Sequence, residues 1–320
     1  MTIEEASTAI KRKAVELGFS ACGIAKAAPV SEHAIAEHEE WLQKGYAAGM
    51  DYLHRNKSLR YNPQELQPGA KSLICVAMNY FPKEFIDSDV SFAYYSYGKD
   101  YHFVLKSYLS LLFKYIEDEI CPSLDSHPIL EGRAFVDSAP MMERYWAEKS
   151  GIGFKGRNSL IIIPHVGSFC FLGILAVNVD LAYDQPIRIS CGSCHRCEEA
   201  CPTCAISDGI VDANRCISYQ TIENKEASIP EEVSKCMGNQ IYGCDACQKV
   251  CPWNRFAKPT TIEEFCPKED FKNISSSQIA KMNNGDFKRM FKDSAISRAG
   301  LKGLQRNLSF ARFCKAEIAE

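Results

Sequence analysis

"CGSCHRCEEACPTCAI", residues 191–206, sets five cysteines within fourteen positions, and "CDACQKVCPWNR" follows at 244–255. Of sixteen cysteines in the chain, ten fall between residues 191 and 251. Cys191, Cys194, Cys197 and Cys201, followed by Pro202, spell C-x2-C-x2-C-x3-C-P. In that ferredoxin run three cysteines hold one 4Fe–4S cluster and the fourth reaches the other. Zinc sites instead use two C-x2-4-C pairs separated by a loop. Cys197, Cys201 and Cys204 also read C-x3-C-x2-C, the signature of radical enzymes that cleave S-adenosylmethionine. The longer run already uses two of the three, Pro202 is ferredoxin punctuation, and only 116 residues follow Cys204.

The second run is incomplete. Cys244, Cys247, Cys251 and Pro252 match, but Ile241 stands where the first cysteine belongs. By the crossing rule Cys251 joins Cys191, Cys194 and Cys197. The other set then holds Cys201, Cys244 and Cys247 and needs one more ligand. Cys204, Cys216 and Cys236 are all available, and spacing alone does not choose.

Composition bounds the rest. With 320 residues, 46% hydrophobic and 24% charged, the chain reads as globular, with about two domains expected. Its first residues lack the basic start and apolar core of a secretory signal. The longest apolar run, "FCFLGILAVNV", is too short to cross a bilayer. These features lead to an expectation of a cytoplasmic protein with no membrane partner, in which clustered cysteines hold metal rather than disulfides. Cys22, Cys75, Cys121, Cys170, Cys266 and Cys314 stand among apolar neighbours and read as inert thiols. A net charge of −3 argues against a generally basic nucleic-acid binder. Residues 281–315, however, carry nine Lys and Arg against Asp286 and Asp293. That local excess reads as a phosphate footprint or a solvated helix face.

Hydrophobic periodicity predicts helices over 2–18 (with a Thr2/Glu5 capping pattern), 31–45, 102–120 and 140–150. Strands are expected in "FSACGIA", "KSLICVAMNYF", "RAFVDSA", "NSLIIIP" and "SFCFLGILAVNV". The mixture implies an α+β chain. A layered domain spans 1–180, a ferredoxin-like double 4Fe–4S domain 181–258, and a basic helical segment 259–320. The middle segment has little apolar periodicity, so metal would supply much of its folding energy.

Several stretches together carry a resemblance to a known family. "VDSAPMMERYWAEKSGIGFKGRNSLIIIPHVGSFCFLG", "CGSCHRCEEACPT", "DANRCISYQTIE", "YGCDACQKVCPWNR" and "SAISRAGLKGLQRN" are similar, in order, to the epoxyqueuosine reductases. The likeness runs from about Gly18 to Arg312. It implies a nitroreductase-like α/β domain that binds cobalamin, fed by two 4Fe–4S clusters. The substrate implied is the epoxide of the modified wobble guanosine in tRNA, reduced by two electrons to queuosine. The resemblance assigns Cys216 as the missing ligand, makes Cys204 a spare, and makes Asp137 the proton donor.

A carboxylic acid shielded from water would have the raised pKa such a donor uses. Ser138 or Asp137 capping the following helix is the plainer reading. The resemblance also puts Arg157, Asn158, Ser159, Ser218 and Asp245 forward as cobalamin contacts, with Tyr101 and His102 lining the pocket. Lys281, Arg298, Lys302 and Arg306 become candidates to hold tRNA phosphates. A low-potential electron donor protein is implied, and a monomer is expected. "GFKGRNS" departs from the family's tryptophan- and threonine-containing version, and the helical repeats of many members after "GLQRN" are not in this sequence. A reductive dehalogenase-like enzyme for a small substrate and a ferredoxin-type carrier are the competing readings. The large first domain and the basic last segment weigh against them.

Overall fold

The computed structural model describes residues 1–311; Arg312, Cys314 and Lys315 lie outside the described residues. The chain begins with α1 (Ile3–Glu16), capped as expected by reciprocal bonds between Thr2 and Glu5. Then come β1 (Ala21–Lys26) and α2 (Glu32–Gln43), whose Ser31 cap accepts from the Ala34 amide. Next are β2 (Ser72–Asn79), the two-residue β3 (Ser91–Phe92) and α3 (Tyr101–Tyr115), which runs on into a π turn over Ile116–Ile120. β4 (Gly132–Phe135), α4 (Glu143–Lys149) and β5 (Cys170–Val177) complete the first half.

Four strands form an antiparallel sheet in the order β1-β2-β5-β4. Alternation within β2 explains its burial on both faces. Ile74, Val76 and Met78 pack with Ile10 of α1 and Leu105 and Leu109 of α3. Leu73, Cys75 and Ala77 pack on the other face with Trp146 and Ala147 of α4. Gly23 lets β1 pass the end of α4, since a Cβ there would stand 2.1 Å from the Ser150 carbonyl oxygen. The result is a three-layer α+β unit.

Two expectations shift. The helix predicted from Pro140 begins at Glu143, because the preceding loop is bent by a left-handed Asp137 (φ 53°) and Met142 offers no side-chain cap. "NSLIIIP" contributes only Ile161–Ile162, paired with Phe154–Lys155 across a tight turn closed by Gly156 and Leu160.

The thiol-rich segment is built from short helices and turns. Past it lie α5 (Ile217–Ile222), β6 (Gln240–Tyr242), α6 (Asn284–Phe291) and α7 (Gly300–Phe310). β6 pairs in parallel with the distant β3. One core joins Val90, Phe92 and Tyr97 to Ile241, Tyr242, Phe287 and Leu304. Residues 90–97 of the first segment are thus packed into the last. The "QRN" of "GLQRN" fastens this assembly. Arg306 donates to the carbonyls of Gln220, Asn224 and Glu226, and buried Asn307 donates to those of Thr221 and Ile241.

Candidate functional site

Two short helices, Arg196–Glu199 and Ala246–Lys249, each rise from a C-x2-C turn and lie against one another. Their packing folds the two cysteine runs together. Cys191, Cys194, Cys197 and Cys251 line one cavity of about 320 Å³ with Arg157, Asn158 and Trp253. The other set is gathered around α5. Cys216 stands beside Cys201, Cys244 beside both, and Cys247 beside Cys244 and Cys216. Cys247 also neighbours Cys197, so the two sets adjoin. Cys204 and Cys236 are exposed. Of the three candidates that spacing left open, the fold sets Cys216 beside Cys201, Cys244 and Cys247.

Burial pushes the thiols up: Cys244 reaches about 11, and Cys216, Cys247 and Cys251 are raised as well. Buried sulfur of this kind becomes thiolate only against a strong positive centre. The surroundings fit a cluster. Asn158 is 5% exposed and its Nδ2 has no partner, nor has Arg157 Nε, and both residues line the first cavity. Unspent N–H groups beside thiols are suited to cluster sulfur, whose potential they tune. In the second set, the Ala205 amide donates to Cys201 Sγ at 3.2 Å. Among the described residues, no three His, Cys, Asp or Glu side chains converge on a single metal ion. A cubane asks each thiolate for its own iron instead.

α5 begins just after Cys216, and Glu223 at its far end pairs with Arg298, one contact being 2.8 Å. Arg298 in turn stands near Asp137 and Tyr52. Asp137 sits in the loop after β4, its side chain 65% accessible yet walled by these groups. Tyr101 donates to Asp137 Oδ2 at 2.5 Å, and His102 Nε2 lies 3.4 Å from the same oxygen. His102 Nδ1 is 2.6 Å from Asp100 Oδ1. Tyr101 stacks on Phe171 of β5 with 4.3 Å between centroids, which fixes its ring. The Asp137 amide donates to Glu143 Oε1 at 3.0 Å.

This geometry reverses the expected titration of Asp137. Burial pushes its carboxyl up, but hydrogen bonds from His102 and Tyr101 outweigh that and hold it below the ordinary range. Burial likewise opposes charge on His102, but Asp100 and Asp137 raise it to about 9. Glu143 is the group pushed up, to about 7, by burial and by the Asp137 charge. Near neutral pH these shifts favour an Asp137 carboxylate and a His102 imidazolium, with Glu143 the carboxyl readiest to carry a proton.

The other expected residues are dispersed. Arg157 and Asn158 line the first thiol cavity. Ser159 donates to the Gly209 carbonyl and Asp245 is buried, accepting from the Tyr94 amide and Gln248. Ser218 lies in the first turn of α5, beside Cys216. Lys281 and Lys302 are exposed, whereas the Arg306 guanidinium is spent on backbone carbonyls and is not available to phosphate. Asp100, Glu143, Arg60 and Tyr52 escaped the sequence reading. Only Asp100, a capping residue beside "YH", had a local signal. Arg60 is 8% exposed, with Nε unpartnered, beside Glu143 and Tyr52. A buried guanidinium with an unspent donor fits a ligand fringed with carbonyl oxygens, as the amide-bearing edge of a corrinoid is.

Residues 190–254 match the family described as a 4Fe-4S double cluster binding domain, and residues 60–138 match that of epoxyqueuosine reductase QueG. The epoxyqueuosine reductase of Cyclobacterium marinum is 43% identical over 316 residues, covering 97% of this chain and 98% of the relative. The chain belongs to the epoxyqueuosine reductase family. The Escherichia coli member is 40% identical, covering 97% of this chain and 82% of its own. A crystal structure of epoxyqueuosine reductase with an epoxyqueuosine-modified tRNA-Tyr stem loop superposes with a TM-score of 0.87 at 30% identity, covering 97% of this chain and 81% of that one. A Bacillus subtilis structure, TM-score 0.86 at 30% identity over 97% of this chain and 82% of that one, is described as having its catalytic aspartate loop swung out of the active site. No helix among the described residues is long and apolar enough to cross a membrane.

Proposed function

We propose that this chain reduces the epoxide of epoxyqueuosine in a tRNA anticodon loop to the alkene of queuosine. The reaction takes two electrons and two protons, and the oxygen leaves as water. The observation that carries this reading is that an aspartate bonded by Tyr101 and approached by His102 is linked, through Arg298 and Glu223, to the helix that starts at Cys216 in the second of two adjoining thiol sets. Cys191, Cys194, Cys197 and Cys251 hold one 4Fe–4S cluster, and Cys201, Cys216, Cys244 and Cys247 the other. The clusters supply electrons singly, drawn from a low-potential donor protein in a reducing cytoplasm. Arg60, Tyr52 and Glu143, which neighbour one another beside Asp137, are the residues that would hold cobalamin, and its low-valent cobalt would supply electrons as a pair.

The protein's own part is proton supply and positioning. Opening an epoxide leaves an alkoxide, which must be protonated. His102, held as imidazolium by Asp100, stores the proton, and Asp137 presents it to the oxygen. Tyr101 fixes the carboxylate, and Glu143 provides a second exchangeable proton next to it. The single-stranded loop allows the modified base to be splayed toward Asp137, with the exposed Lys281 and Lys302 available to flanking phosphates. The chain acts as a monomer of three units, 1–180, 181–258 and 259–320, joined by a shared core.

The test is Asp137→Ala in anaerobically reconstituted protein. Iron content and stem-loop affinity should match wild type while conversion falls about 10²–10⁴-fold, the usual worth of a positioned acid. Turnover within a few-fold of wild type would remove Asp137 from the chemistry.

A further inference from the structure

Electrons must reach the first thiol set from outside, and the surface beside it has a distinct character. A groove of about 450 Å³ adjoins the cavity of Cys191, Cys194, Cys197 and Cys251, sharing Cys251, Pro252 and Arg255 with it. Arg196, Lys249 and Arg255 line this groove, and all three are exposed. Among the described residues none of them makes an ion pair, although the nearby Glu198 is engaged by His195 and approached by Arg157. The floor is aromatic. Phe81, Tyr94 and Phe169 contact one another edge-on or tilted. Phe85, 55% exposed, stands on the first two, and the Lys249 ammonium lies 4.7 Å over the Tyr94 ring.

We propose that this face is the docking surface for an acidic one-electron carrier protein. The inference rests on the reading above that the clusters feed the reduction. The chain is net negative at −3, so an acidic partner approaches productively only where cations are concentrated and unpaired. Aromatic floor and cationic rim together match the make-up of a transient interface. A carrier seated there meets Cys251, a ligand of the first cluster. Each encounter removes one electron from the carrier and places it on that cluster, so two encounters serve one epoxide. Nucleic acid is the other polyanion to consider. The reacting base, however, must reach Asp137, which neighbours Arg298 and the α5 side of the second thiol set, whereas the groove adjoins the first.

The experiment needs neither cobalamin nor modified tRNA in its main arm. Reconstituted full chain is mixed in stopped flow with a reduced acidic 2Fe–2S ferredoxin, and bleaching of the 4Fe–4S absorbance is followed. For Lys249→Glu/Arg255→Glu the second-order rate constant at low salt should fall tenfold or more, about the lower end of electrostatic steering. The wild-type rate should drop with ionic strength until the two converge. Photoreduction by uncharged 5-deazariboflavin and affinity for the tRNA stem loop should be unchanged. If the double reversal lowers iron content, Lys249→Gln/Arg255→Gln and the wild-type salt dependence carry the test. A ferredoxin rate that is independent of salt and within twofold for the variant overturns the proposal. Weakened stem-loop binding at an unchanged ferredoxin rate also overturns it and assigns the face to nucleic acid. Wild-type protein with no cluster reducible by deazaflavin would instead overturn the reading on which the proposal rests.

Discussion

Asp100→Asn isolates the charge that keeps His102 protonated. Asp100 does two jobs: Oδ1 accepts from the His102 amide at 3.0 Å to cap α3, and lies 2.6 Å from His102 Nδ1. Asn caps a helix as well as Asp does, so the substitution removes the charge and leaves the cap. His102 is raised from 6.5 to about 9, against its own burial, by Asp100 and then Asp137. Converted at 1.36 kcal/mol per pH unit, that rise is a preference for imidazolium of about 3 kcal/mol.

Because the folded value lies above the unfolded one, the stabilisation is complete below pH 6.5. It fades as pH rises through about 9. With Asp100 neutral, only Asp137 still favours the charged ring, so the midpoint should move down by about one pH unit or more. The assay is an NMR titration of 13C-labelled histidine in the reconstituted chain with its clusters oxidised, paired with unfolding midpoints from pH 6 to 10. In wild type, stability should decline across the window between 6.5 and 9, and in the variant that decline should shrink. Conversion should fall above about pH 9 in wild type and at lower pH in the variant. A wild-type His102 that titrates near 6.5, or a midpoint indifferent to Asp100→Asn, would refute the imidazolium account.

Cys216→Ala should retain roughly half of about eight irons per chain, whereas Cys204→Ala keeps them all. Iron analysis decides, and equal iron in the two variants contradicts the ligand sets. Asn158→Leu removes an N–H donor from the first thiol cavity, so the reduction potential of one cluster should fall in an EPR-monitored titration while the other stays put. An unmoved pair of potentials would leave Asn158 with packing alone. Arg306→Ala strips donors from three carbonyls, and chemical denaturation should show a loss of about 2–4 kcal/mol. Stem-loop affinity measured well below the unfolding transition should stay near wild type. A large affinity loss without destabilisation would restore Arg306 as a phosphate contact.

What the sequence discloses here is what local chemistry encodes. Cysteine spacing is imposed by the geometry of a cubane, so two runs and a crossing ligand can be read without coordinates. The capping box at Thr2 and the alternation of β2 are equally local, since each depends on residues two to four apart. The Cys216 choice is of another kind, because it requires α5 to fold back on the second run. The parallel pairing of β6 with β3 joins very short segments far apart in the chain, too brief for periodicity to announce. Arg306 shows how composition misleads. A basic residue in a basic stretch reads as a phosphate contact until its partners turn out to be carbonyls. The lowered pKa of Asp137 depends on Tyr101 and His102 arriving from a separate helix, whereas the sequence reading supplied burial and omitted the donors. Glu143 stands six residues beyond Asp137 and became visible only once the loop between them was bent back.

The account stands most directly on one conversion. Reconstituted chain, a chemical reductant and an epoxyqueuosine-bearing stem loop are incubated with and without cobalamin, and the nucleosides are weighed by mass spectrometry. The modified guanosine should lose the mass of one oxygen atom only when both cobalamin and intact clusters are present. Conversion without cobalamin, or an untouched epoxide in the complete mixture, would contradict the account.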